Sequence, residues 1–290
     1  MIGRKQFSIY TLLKVAVLLL VVFFTLYPFI YMLAVSTSDN IHVMQNAITF
    51  YPKGFNLKAY GVVFQDKDIF RAYLNTLLYT FSGTVLSLSI TCAGAYALSK
   101  KRLIFNRGFS IMIMITMFFS GGLIPTYLTV KMLGMYNSMW AIIVPGAVST
   151  WNLLVMRAFF SQFPAELEES GKLDGMTDLG VFFRLVLPLS SAVLATIGLF
   201  YAVGIWNAFF GPMIYLSDNS KQPLQVVLRA IVLMGQQSSR AAVNVSGDYY
   251  VVDESLKYAT IIVSVVPIIV VYPFVQKYFV KGVMIGSLKG

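Results

Sequence analysis

Residues able to do covalent chemistry are scarce in this chain, and their spacing excludes most of it. There is one cysteine, Cys92, inside an apolar run, and one histidine, His42, with neither cysteine nor carboxylate at ligand spacing. Such a set furnishes no Ser-His-Asp or Cys-His centre, no zinc site and no intrachain disulfide. No G-x-x-x-x-G-K-[ST] occurs either; the nearest match, Gly175 to Gly180, is followed by Val181. The anomaly lies elsewhere. Five of the twelve acidic residues fall in "FPAELEESGKLDGMTDLGVFFRLVL", Phe163 to Leu187, within an otherwise apolar chain.

The elements around that stretch belong in lipid. The 290 residues are 58% hydrophobic and 12% charged, with mean hydropathy +0.75, outside the range of soluble domains. A spanning helix needs roughly 20 apolar residues to cross ~30 Å of hydrocarbon. Six runs qualify: Val15 to Val35, Leu74 to Leu98, Phe109 to Val130, Trp140 to Phe160, Leu187 to Phe209 and Tyr258 to Tyr278. They are continuous, unlike the short alternating segments of an outer-membrane barrel. The expected fold is all-α, a polytopic membrane protein of about six spans, with one membrane domain over 1–290. Within it, 1–71 is a first span and outer segment, 72–279 a core and 280–290 a tail. The first run has a signal-like start (Arg4, Lys5, Lys14) and an Ala34-Val35-Ser36 that resembles a cleavage site. Its apolar stretch exceeds the usual ~7–15 residues and five spans come after it, so it reads as a retained span.

The net charge of +10 flanks the spans instead of forming one stripe, which argues against nucleic acid. Lys100, Lys101, Arg102 and Arg107 crowd one short loop, and Lys277, Lys281 and Lys289 close the chain. Lys/Arg excess in short loops marks the cytoplasmic side. Both termini, 99–108 and 161–186 are therefore expected inside, with 37–72 and 210–257 outside. No run holds Asp, Glu or His at its centre, where ion-coupled carriers keep such groups. Any energy for transport then arrives through a partner, although a sodium site of carbonyls and hydroxyls would escape such a search. A stand-alone secondary carrier is the alternative, and a scaffold or insertase-like protein a third reading.

Pro28, Pro125, Pro145, Pro212, Pro267 and Pro273 lie in or beside spans, where freed backbone groups must meet protein or water, so kinks there point to a cavity or moving interface. Membrane helices are also rich in proline generally. Small residues crowd Ser82 to Ser99, with Gly83, Ser87 and Thr91 four apart, which lets helices approach and places this span inside the bundle. In the outer segment, Tyr51-Pro52-Lys53-Gly54 signals a turn. "PLQVVLRAIVLM" reads as an amphipathic helix with Leu224, Val227, Leu228 and Ile231 on one face.

Phe163 to Leu187 itself reads as two short helices. Pro164 suits a first helical position, Glu166, Glu168 and Glu169 sit where the helix dipole favours anions, and Glu168 and Lys172 are an i,i+4 pair. Gly175 stands at a left-handed C′ position, and Thr177 or Asp178 caps the second helix. Leu179, Phe182, Phe183 and Val186 fall at i, i+3, i+4 and i+7. Ser170 and Gly171 leave the first helix bare, open to close approach by a partner. The pair is either a docking knob or a segment whose Phe182 and Phe183 pack on the protein's own bundle.

"EESGKLDG", nine residues and "LVLP" resemble the cytoplasmic signature of ABC importer permeases: Glu-Ala-Ala, three residues, Gly, nine residues, Ile-x-Leu-Pro. Here Glu169, Ser170 and Gly171 stand first, then Gly175, then Leu185, Leu187 and Pro188, with Ser-Gly replacing Ala-Ala. "YLNTLLYT" (73–80), "FFSGGLIPTYL" (118–128), "LFYAVGIWNAFF" (199–210) and "VYPFVQKYFVKGVMIGSLKG" (271–290) are similar to the carbohydrate-uptake branch, the maltose importer's relatives, and within it to the complex-oligosaccharide subgroup. The resemblance implies a non-enzymatic subunit of the bacterial cytoplasmic membrane. It would pair with a second permease chain, two ATPase subunits that bind ATP and Mg, and an extracytoplasmic solute-binding protein, and would hold no cofactor itself. It further implies that Glu169, Ser170, Gly171, Asp174, Gly175 and Pro188 form the ATPase seat, with Leu179 and Phe182 as apolar anchors, and that Lys281 to Gly290 lies near the ATPase dimer interface. For a sugar pathway, Tyr79, Tyr127, Trp151, Asn152, Trp206 and Asn207 are the right types, aromatic faces and amides. The segment 216–257 is the expected contact for the binding protein.

Overall fold

The computed structural model describes the backbone of residues 9–100, 102–241 and 248–287. The described elements are helical throughout. In order they are α1 (Ile9–Ser36), α2 (Asn40–Met44), α3 (Lys58–Gln65), α4 (Lys67–Ser99), α5 (Asn106–Phe118), α6 (Leu123–Met132), α7 (Trp140–Ile143) and α8 (Thr150–Phe160). There follow α9 (Ala165–Leu173), α10 (Asp178–Val181), a π-helical turn (Phe182–Val186), α11 (Leu187–Leu189), α12 (Ser191–Trp206), α13 (Phe210–Tyr215), a 3₁₀ turn (Asn219–Lys221), α14 (Leu224–Ala241) and α15 (Asp248–Ser287).

The chain divides into two compact units. One holds Met1–Phe70 with Leu228–Val266, the other Arg71–Val227 with Pro267–Gly290. In the first, Ala34 and Val35 at the end of α1 pack with Val43 and Ile48, and with Tyr31 against Tyr258. Asp39 caps α2 by accepting from the Asn40 N–H, and its own N–H bonds the Lys53 carbonyl at 2.9 Å. The turn expected at Tyr51 to Gly54 is present because Gly54 adopts φ +64, where a Cβ would lie 2.7 Å from that of Asp39. Most of α1 carries apolar side chains exposed on all sides, as a helix meant for lipid does.

The second unit contains the loop 161–186. Its core joins Cys92 and Ala95 of α4, Met156 and Phe160 of α8, Val193, Ile197 and Tyr201 of α12, and Val181, Phe182 and Val186 of the loop. One face of the small-residue stretch in α4 is buried as expected: a Cβ at Gly83 would lie 2.7 Å from the Ile205 Cδ1, and one at Gly94 3.4 Å from the Leu153 Cδ1. Val85 and Ile90 in the same stretch are exposed.

The six expected spans are not six straight helices. Among the described residues three helical stretches are long and apolar enough to cross a membrane: α1, α4 and Glu254–Pro273 within α15. The third run breaks between α5 and α6, which bend by 115°, and Ser191–Trp206 meets the preceding helix at 82°. Counting each bent pair as one span gives five. The fourth run is interrupted over 144–149, leaving α8 with 11 residues. The causes are local: Gly122 adopts φ +80 ahead of Pro125, and Pro145-Gly146 cannot continue α7. Pro267 and Pro273, by contrast, lie inside the unbroken α15. That helix continues to Ser287, so no break falls at 280 within the described residues; Arg4, Lys5 and 288–290 lie outside them.

Candidate functional site

The helix pair forms as its residues dictate. Helix α9 starts after Pro164, which stands at the N-cap, one position before the expected one. It ends in a Schellman motif: the Met176 N–H bonds the Gly171 carbonyl at 2.9 Å and the Gly175 N–H bonds the Lys172 carbonyl at 3.0 Å. Gly175 takes φ +81 to close it. Thr177 then caps α10, its hydroxyl accepting from the Gly180 N–H at 3.1 Å. Pro188 has no N–H for the carbonyl four residues back, and the wider π-helical turn over Phe182–Val186 precedes it.

Three expectations about this pair are corrected. Glu168 does not pair with Lys172; it pairs with Lys100, and Lys172 reaches Asp178 at 2.8 Å. Gly171 is not bare but buried against the chain's own second segment, where a Cβ would meet the Leu185 Cδ1 at 2.9 Å and the Val181 Cγ2 at 3.2 Å. The four apolar residues do not share a face. Phe182, 6% exposed, turns into the core with Val186, while Leu179 and Phe183 point out at 70% and 62%. The π-helical turn beginning at Phe182 shifts the register. In this conformation Leu173, Leu179 and Phe183 are exposed, and the Phe182 ring is buried. Glu169, Ser170 and Asp174 lie at the exposed surface.

The Lys172–Asp178 pair is solvent-exposed. Its hydrogen bond holds the Asp178 carboxyl below the usual carboxylate range and pushes the Lys172 ammonium up. The carboxylate's contribution is lost as pH falls through its depressed pKa, and the lysine's as pH rises through its raised one. The pin is therefore intact across neutral pH.

The break after α7 and the turn between α12 and α13 line a cleft of about 460 Å³, bounded by Ala141, Ile142, Pro145, Gly146, Asn207, Phe209 and Pro212 among others. Irregular backbone at membrane depth is tolerated where it borders a cavity, which is what these segments do. The six sugar-pathway candidates separate here. Asn207 lines the cleft, and Tyr127 stacks at 6.1 Å on Tyr215, which also lines it. Trp151 is exposed, whereas Asn152 is buried in α8. Tyr79 is buried, and its hydroxyl donates to the Lys221 carbonyl at 2.8 Å, so it holds a loop in place. Trp206 is buried with the Tyr73 ring edge-on at 6.0 Å, and its Nε1–H has no hydrogen-bond partner among the described residues. Thr80 and Thr84, on the face of α4 that carries Thr76, are likewise buried at the hydroxyl and unpartnered. By contrast, Thr76, Ser82 and Ser89 of the same helix bond the carbonyl four residues back.

A profile of the family described as "Binding-protein-dependent transport system inner membrane component" matches residues 73–285. The chain belongs to that family. It is 40% identical to the polygalacturonan/rhamnogalacturonan transport system permease protein YtcP of Bacillus subtilis, over 91% of this chain and 92% of that one. It is 42% identical to protein LplC of the same organism, over 92% and 90%. Its fold matches a chain of the crystal structure of a bacterial ABC transporter involved in the import of the acidic polysaccharide alginate, with TM-score 0.86, 33% identity, and 96% and 99% of the two chains covered.

Several features of this permease escaped sequence reading because they are set by distant residues. The Tyr201 hydroxyl accepts from the Ser149 N–H at 3.0 Å and bonds Thr91 at 2.7 Å, joining α12 and α4 to the break before α8. On the opposite end, Asn137, at φ +58, bonds Tyr215 and Asp218. Asn75 on α4 donates to the Ser220 and Gln222 carbonyls. Asp218 caps the 3₁₀ turn, and the Ser220 hydroxyl and N–H keep its carboxyl below the usual range. Only the positive φ left a signal, asparagine at a left-handed position.

Proposed function

We propose that this chain is the transmembrane permease subunit of an ATP-driven importer of oligosaccharides, with uronate-rich chains the first class to test. The observation that carries the reading is the Schellman-closed helix pair, exposed outward at Leu173, Leu179 and Phe183 and anchored inward at Phe182, in a chain 40% identical to a polygalacturonan/rhamnogalacturonan transport system permease protein. The pair seats in a cytoplasmic ATPase subunit, two of which bind ATP and Mg. Their closure moves the loop as a rigid body and switches the spans between inward- and outward-facing states. A second permease chain supplies the other half of the pathway, and an extracytoplasmic solute-binding protein delivers the sugar to the 216–257 side. Both termini face the cytoplasm.

The cleft is the pathway's part in this chain. Its size is that of a ligand pocket, its lining is apolar and aromatic, and Asn207 offers an amide. Similarity to family members supports this reading over a secondary carrier. The experiment is reconstitution of the chain with its second permease, ATPase and binding protein in lipid vesicles. ATP hydrolysis is expected to rise with binding protein loaded with oligogalacturonides, and not with an amino acid control. Uptake by vesicles holding this chain alone, dissipated by an ionophore and indifferent to ATP, would overturn it.

A further inference from the structure

A helix fixed at one point can pivot, and one fixed at two cannot. The C-terminal end of α9 is fixed by Gly171 against Val181 and Leu185 and by the Schellman bonds. One turn earlier Glu168 meets Lys100, which lies just beyond the end of α4. Among the described residues this is the ion pair that ties the loop to another part of the chain, and both side chains are largely withdrawn from solvent, 27% and 23% exposed.

Lys100 is held at root and tip. Its ammonium sits 3.9 Å over the Tyr96 ring, a cation–π contact, and that ring packs 4.8 Å from Phe182 and 6.1 Å from Phe160. Its carbonyl accepts from the Asn106 side chain, which also bonds the Leu98 carbonyl, each at 2.9 Å. Arg157 of α8 donates to the same Leu98 carbonyl at 3.1 Å and to the Asn106 amide oxygen at 3.2 Å. The ends of α4, α5 and α8 are thus knotted together, and Lys100 extends from that knot to α9.

We propose that Lys100 and Glu168, backed by Tyr96, form a second mechanical linkage that carries displacement of α9 directly into α4 and α8. It acts in parallel with the covalent route through α10, the π-helical turn and α12. Both residues are positioning residues and touch no substrate. The inference rests on the reading that a partner ATPase drives α9.

The test uses the full complex in vesicles and reads sugar transported per ATP hydrolysed, with retention of the ATPase subunit as a separate readout. Lys100→Met and Glu168→Gln each should keep the ATPase bound and hydrolysing while transport per ATP falls by about five- to tenfold, the scale of a typical coupling interaction. The exchange Lys100→Glu with Glu168→Lys should restore much of the loss, incompletely because the cation leaves the face of Tyr96. Unchanged transport per ATP in both single variants, or no recovery in the exchanged pair, overturns the linkage. A wild-type complex that shows no ATP-coupled transport overturns the functional reading itself, and the linkage with it. Glu168→Gln, on a partly exposed helix face, guards against a folding defect at Lys100.

Discussion

Gly175→Val should cut binding-protein-stimulated transport by about tenfold or more, while Gly175→Asn retains most of it. The position has φ +81 and nothing within 4 Å of a would-be Cβ, so space is not the obstacle. The cost is conformational. A residue with a Cβ pays roughly 1–2 kcal/mol in the left-handed region, a β-branched one more, and asparagine less because it visits that region readily. A valine that escapes the strain breaks the bonds from Met176 to Gly171 and from Gly175 to Lys172, and α9 then loses its angle to α10. Coupled ATPase and uptake should fall in the order Asn, Ala, Val, with valine down by about tenfold or more. Full activity in the valine variant would show that the angle between the two helices does not matter.

The second large effect is at Gly171, for a different reason. Here the backbone is ordinary and the space is filled: a methyl group added at this Cα would lie 2.9 Å from Leu185, 3.2 Å from Val181 and 3.6 Å from Met176. Gly171→Ala asks the end of the flexible Leu185 side chain, and a Val181 methyl less so, to shift by a few tenths of an ångström, and should be tolerated; the signature that this loop resembles carries alanine at that place. Gly171→Leu adds three more carbons to a packed interface, which costs about 1–3 kcal/mol and forces α9 off the second helix. Thermal unfolding of the purified chain should show a lower midpoint for leucine and little change for alanine, with coupled transport lost only in leucine. Equal behaviour of the two would contradict the packing assigned to Gly171.

The contrast between these two glycines shows what could be read from residues alone. Gly175 was legible because a left-handed helix end is a local requirement, expressed in the turn Asp174-Gly175 and the cap at Thr177. Gly171 was legible as small but not as small toward what, since its neighbours Val181 and Leu185 arrive through the fold. The apolar pattern at Leu179, Phe182, Phe183 and Val186 assumed an α-helical period, and the π-helical turn ahead of Pro188 divided it. Glu168 found Lys100, sixty-eight positions away, in place of Lys172 on its own helix. Hydropathy located the apolar runs yet not their breaks, because Gly122 and Pro145 interrupt the backbone without lowering the apolar content. Among the pathway candidates, residue type alone could not distinguish Asn207 on the cleft from Tyr79, spent on the Lys221 carbonyl.

The proposed mechanism requires a separate nucleotide-hydrolysing protein to grip this loop from its outward face. Cys92 is the chain's one cysteine and is buried, so Cys92→Ser gives a background for single cysteines at Leu173, Leu179 and Phe183, with buried Val181 as the control. Crosslinking in native membranes should capture an ATP-hydrolysing subunit from the three exposed positions, with a pattern that changes when ATP is added, and not from Val181. No such subunit at any of the three, or equal capture from Val181, would contradict the mechanism.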